Sequence, residues 1–180
     1  DVEEDVKRVA DDNRRELERW RRDVKKVADE VKDRSRKLER DVERRIREIE
    51  KTLEDLRREG LDERVIETLA RILKRLLDEV KKLLKDNERV VDRVLTEVDE
   101  LIRRNEESVR RILEDVKKDR TKEVVKRLKE ESKKSNEDVA RRVEKLKEEL
   151  ERSTREVERA VRELKKELDE VVREVKERAK

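Results

Sequence analysis

Apolar residues recur along the first third of the chain at Val2, Val6, Val9, Leu17, Trp20, Val24, Val27, Val31, Leu38, Val42, Ile46, Ile49, Leu53 and Leu56, and Asn13 and Ser35 fall in the same stripe. The steps run 4-3-4-4-3 and close after 18 residues, so that Val2, Trp20, Leu38 and Leu56 form one column. Eighteen residues over five turns is about 3.6 per turn, the period of an undistorted α-helix. A heptad would impose a left-handed supercoil; this period predicts nearly straight helices. The middle third repeats the rule in the columns Val65, Leu83, Leu101 and Leu76, Val94, Ile112, and adds a second flank with Ile66, Leu84, Ile102, then Leu73, Val91, Val109, then Leu77, Leu95, Leu113. The last third aligns Val125, Val143, Val161 and Ala179, with Leu128, Leu146 and Leu164 beside them.

The stripe loses its phase twice. After Leu56 it would continue at Gly60, Glu63, Glu67 and Arg71, and after Val116 at Asp119, Glu123, Lys126 and Glu130, none of them a large apolar residue. Gly60 suits the left-handed residue that ends a helix, Asp62 reads as the next N-cap, and Leu61 with Ile66 has the spacing of a hydrophobic staple. The second break carries no glycine; Thr121 reads as the N-cap of a third helix. The pattern thus predicts helices over residues 2–59, 62–118 and 122–179, each about 87 Å long at 1.5 Å per residue. Short connections make neighbours antiparallel. The expected fold is all-α, a single-chain antiparallel up-down-up three-helix bundle spanning residues 1–180. The hand of the bundle is left open, because both turns share one pattern.

Equal helices also predict which residues face one another. Opposed positions in the first two helices should have numbers adding to roughly 121, and those in the second and third to roughly 240. On that scale Asn13 is level with Ser108 and Ser132, with Asn105, Ser135 and Asn136 within a turn. Ser35 lies near Asn87, which is level with Ser153 and Thr154. Polar residues from all three helices therefore meet at two heights and are almost absent from the core elsewhere. A buried amide or hydroxyl without a partner costs on the order of 1–3 kcal/mol, so such clustering points to connected hydrogen-bond networks that fix register and helix order. Asn13, Ser35, Asn87 and Asn105 sit squarely in the columns, whereas Asn136 and Thr154 are flank positions for which facing solvent stays an equal alternative. Trp20 occupies an apolar column, where core packing is favoured over an indole N–H bond to the first polar level.

Composition narrows the chemistry. Of 180 residues, 61% are charged and 1% aromatic, with one Gly and no Pro, Cys, His, Met, Tyr or Phe. The charge fraction alone would permit disorder, but the 31% of apolar residues are periodic rather than scattered. The 56 basic and 53 acidic residues alternate along every stretch, which describes a solvated surface rather than a field that steers nucleic acid. Basic pairs such as Arg14-Arg15 and Lys117-Lys118 are flanked by acids, and aromatic platforms for bases are missing. No carboxylate stands in a core column, and no His accompanies one, which argues against a di-iron site. Without His, Cys or Tyr there is no strong candidate nucleophile–base pair, and one Gly cannot build a phosphate cradle. No catalytic, cofactor-binding or metal-binding residues are expected. No run reaches the roughly 20 apolar residues that span a bilayer, and no signal-peptide pattern is present.

The 18-residue repeat, the Lys/Arg/Glu surface, the turn Arg58-Glu59-Gly60-Leu61-Asp62-Glu63-Arg64-Val65 and the runs beginning at Asn87 and Asn105 resemble computationally designed parametric helical bundles with buried hydrogen-bond networks. The resemblance covers the whole chain and is one of style; the Val-rich core departs from a Leu/Ile-rich norm. It implies a hyperstable structural scaffold, made to test helix packing and buried polar networks. Such a protein has no natural location and would be soluble and cytoplasmic when expressed recombinantly. It would be no enzyme, carry no cofactor, bind neither nucleic acid nor membrane, and be a monomer without partners. The alternative is a self-association or partner-pairing module, motivated by the wide apolar face of the second helix; the flank of the first is mostly Ala10 and Ala28. A lipid-surface protein is disfavoured, since its apolar face would carry Trp and Phe.

Overall fold

The computed structural model describes residues 2–179, which form three helices packed against one another: α1 (Val2–Arg58), α2 (Glu63–Lys118) and α3 (Lys122–Ala179). The first break is a Schellman turn. Gly60 takes φ 99°, its N–H reaches the Arg57 carbonyl at 3.1 Å, and the Leu61 N–H reaches that of Leu56 at 3.0 Å. Those bonds satisfy carbonyls that a helix end would leave orphaned, and they bring Leu61 back toward Leu56. Asp62 then caps α2, its carboxylate accepting the Arg64 N–H at 3.0 Å. The second break has no left-handed residue; no non-glycine among the described residues has positive φ. There α3 starts on Thr121, whose hydroxyl accepts the Val124 N–H at 3.3 Å.

By its contacts the chain divides into two compact units, each drawing a segment from every helix. The first combines α1 as far as Glu30 with Val91–Glu151, and the second combines Val31–Val90 with α3 from Arg152 onward. In the second unit Val42, Ile46, Ile49, Leu53, Leu69, Leu73, Val80, Leu84, Val161, Leu168 and Val172 form one buried cluster. In the first, Val116, Val125 and Leu128 are packed under Val2, Val6, Val9, Ile112, Leu113 and Val124. Ala28 is fully buried while Val27 is only half-buried. The stripe on α1 passes nearer to the residue read from the sequence as a flank. Ala179, aligned with a core column, is exposed at the end of α3.

Register is legible from pairs. In the first unit α1 and α3 meet at Asp5 with Lys129 and at Asn13 with Asn136. In the second they meet at Arg34 with Glu158 and at Arg45 with Asp169. Every pair is separated by 123 or 124 positions, so α1 and α3 run parallel. Between α2 and α3 the numbers add to a near-constant value instead: 240 for Asn105 with Ser135 in the first unit, and 240 for Asn87 with Ser153 in the second. Helix α2 is therefore antiparallel to α3. The wide apolar stripe of α2 is covered: no large hydrophobic residue is exposed among the described residues.

Candidate functional site: the buried polar layers

The polar side chains that are buried among the described residues are Asn13, Ser35, Asn87, Asn105, Ser132 and Thr154, and none is charged. Each stands on a helix face that the apolar period turns inward, so its position follows from the same 3.6-residue spacing that places its Val and Leu neighbours.

In the first unit one layer joins all three helices. The Asn13 amide donates to Asn105 Oδ1 at 2.7 Å and to Asn136 Oδ1 at 2.9 Å. The Asn105 amide donates to Ser135 Oγ at 2.9 Å and to the same Asn136 Oδ1 at 3.1 Å. Asn105 thus uses its acceptor and both donor hydrogens on protein partners, and it is 2% exposed. Asn136, a flank position, is only half-buried, yet its carbonyl closes the ring between α1 and α2. Ser132 is buried one turn before Asn136, and Ser108 is half-buried on α2. Neither hydroxyl is bonded to the asparagines.

In the second unit the polar layer joins two helices. Ser153 Oγ donates to Asn87 Oδ1 at 2.7 Å, and the Asn87 amide donates to Thr154 Oγ1 at 3.1 Å. Ser35 of α1 is buried but makes no hydrogen bond to Asn87. Asn87 instead spends its carbonyl and an amide hydrogen on Ser153 and Thr154 of α3. Trp20 is 3% exposed in the core of the first unit, and its indole N–H does not reach the asparagine layer.

No buried side-chain nitrogen or oxygen among the described residues lacks a partner, the condition under which a polar layer stabilises rather than strains a core. Around the layers, charges pair at the rim. Asp5 accepts a hydrogen bond from Lys129, which holds its carboxyl below the ordinary aspartate value against the opposing effect of desolvation. The bond from Arg45 to Asp169 raises the Arg45 guanidinium pKa. Among the described residues no cluster of three or more metal-ligating side chains occurs, and no helix is long and apolar enough to cross a membrane. Within the layers, Asn13, Asn87 and Asn105 spend their hydrogen bonds on one another and on their serine, threonine and asparagine neighbours. No protein-family model, curated protein or solved structure matches the chain.

Proposed function

We propose that this chain is a de novo designed scaffold whose role is its own architecture, with the polar layers specifying which helices meet and at what height. The observation that carries the reading is the bonding of Asn105. It accepts from α1 and donates twice to α3, so sliding any helix by one residue would break a buried bond. A mismatched register would strand amides at about 1–3 kcal/mol each, whereas Val and Leu layers tolerate slippage more readily. The 18-residue period and the capped turns support the same origin, because an idealised backbone needs each local signal to agree with the fold.

On this reading the protein is a monomer without enzymatic activity, cofactor or partner. Size-exclusion chromatography with light scattering tests it: a mass of 22.0 kDa is expected. A multiple of that mass would favour the alternative of a self-associating module. The specifying role is tested by replacing Asn13, Asn105, Ser135 and Asn136 together with apolar residues. A variant that stays folded but shows more than one set of backbone resonances is the expected result. A single, unchanged set would remove the role.

A further inference from the structure

The asparagine layer of the first unit borders a groove of about 610 Å³ between α1 and α3, lined by Val9, Asp12, Ser132, Lys133, Asn136 and Ala140 among others. Two polar groups on this wall have hydrogen-bonding capacity that no protein atom uses. Asn136 spends its carbonyl oxygen on two donors, while its amide hydrogens make no bond within the layer. Ser132 is 4% exposed, yet its hydroxyl is not joined to the layer. Because every fully buried side-chain nitrogen and oxygen has a partner, that hydroxyl must open on the groove rather than on the dry core.

Ser132 and Asn136 are four residues apart on one helix face, which puts their Cβ atoms about 5–6 Å from one another. A single water spans that gap with two bonds of about 2.8 Å. We propose that this groove holds an ordered water that accepts an Asn136 Nδ2–H and donates to Ser132 Oγ, extending the asparagine layer by one turn of α3. Water fits the donor and acceptor set, and two protein partners are the minimum for a water to be ordered. An ion does not fit: Asp12, Glu16 and Glu137 are matched by Arg15, Lys129 and Lys133 around the same groove, so the lining favours neither sign of charge.

The test is proton NMR of the intact protein with selectively labelled asparagine. The Asn136 side-chain amide should show a cross-peak to water in which the NOE and the rotating-frame NOE have opposite signs, the mark of a long-lived water. Ser132→Ala should abolish that cross-peak while leaving the Asn105 amide shifts in place, and Ser132→Thr, which keeps a hydroxyl, should restore it. A cross-peak that survives Ser132→Ala, or one with the signs of fast surface hydration in the parent, overturns the proposal. So does a high-resolution crystal structure in which the Ser132 hydroxyl is turned back onto its own helix's carbonyl at Leu128.

Discussion

Asn13 and Asn105 stand 92 positions apart in the chain, and their side chains meet at 2.7 Å. The Asn13 amide bonds Asn105 and Asn136 together, while Asn105 in turn bonds Asn136, so one carbonyl on α3 takes a hydrogen from each of the other helices. Two donors aimed at one oxygen define a point, whereas apolar contacts define only a surface. That difference is how a few uncharged amides can hold three helices in register although they contribute little apolar burial.

Gly60 supplies the left-handed residue of the first turn. A Cβ there would meet nothing within 4 Å, so the cost of Gly60→Ala comes from φ 99° alone and should be about 1–2 kcal/mol. Gly60→Asn should lose less, because Asn tolerates the left-handed region. Guanidinium midpoints at constant slope measure both. Equal losses for Ala and Asn would show that the turn relaxes away from its Schellman geometry.

How far the sequence carries the structure can be judged residue by residue. Gly60, Asp62 and Thr121 announce the turns because each has a conformational or capping chemistry that few other residues supply. The heights of the polar layers follow from equal helix lengths, so Asn13, Asn105 and Ser135, and likewise Asn87, Ser153 and Thr154, can be brought together on paper. Which hydroxyls then bond depends on which asparagine atoms are already taken. Ser35, Ser108 and Ser132 lie at the right heights, but Asn105 bonds Asn13, Ser135 and Asn136, and Asn87 bonds Ser153 and Thr154. Asn136 shows the converse: its flank position would allow it to face solvent, and its side chain instead turns inward to accept from two helices.

The pairing of Asp5 with Lys129 has a pH signature. Its folded-state pKa is lowered, chiefly by the hydrogen bond from Lys129. The pair's contribution is therefore present above the ordinary aspartate range and is lost as pH falls through the lowered value. Carbon-detected titration should place Asp5 below unpaired surface aspartates, and Lys129→Ala should move it back up. An Asp5 titration unaffected by Lys129→Ala would mean that the ion pair is not populated in solution.

The two units should differ in local stability. Residues 31–90 and 152–179 hold sixteen Leu and Ile, against nine in residues 2–30 and 91–151, where Trp20 is the one further large side chain. Each exchange of Val for Leu or Ile removes about one CH₂, or roughly 0.8 kcal/mol of burial. The first unit also holds the polar layer that spans all three helices. Native-state hydrogen exchange should find amides such as those of Val98 and Val143 opening at a lower free energy than those of Ile49 and Val161. Identical opening energies throughout would mean that the chain unfolds in one step.

The most discriminating experiment compares single with complete removal of the asparagine layer. Asn105→Ala takes away one acceptor and two donor hydrogens at once, leaving Asn13, Ser135 and Asn136 short of partners. The expected loss is about 1–3 kcal/mol, because each orphaned group keeps its desolvation cost without its bond. Replacing the whole layer by Leu, Val and Ala of matched volume leaves no orphan and should be neutral or stabilising, as when a buried polar cluster is exchanged for apolar packing. Ser35→Ala is the internal control. Its hydroxyl bonds none of the residues of the second layer, so its effect should stay within about 0.5 kcal/mol. Guanidinium titration at fixed temperature reads all three, since idealised helices with short loops should resist heat to about 90 °C. The opposite signs of partial and complete removal identify a connected network, for a set of independent bonds would lose stability in proportion to the number deleted. If Asn105→Ala leaves the midpoint where it was, the amide is solvated in solution and the layer does not hold the helices in register.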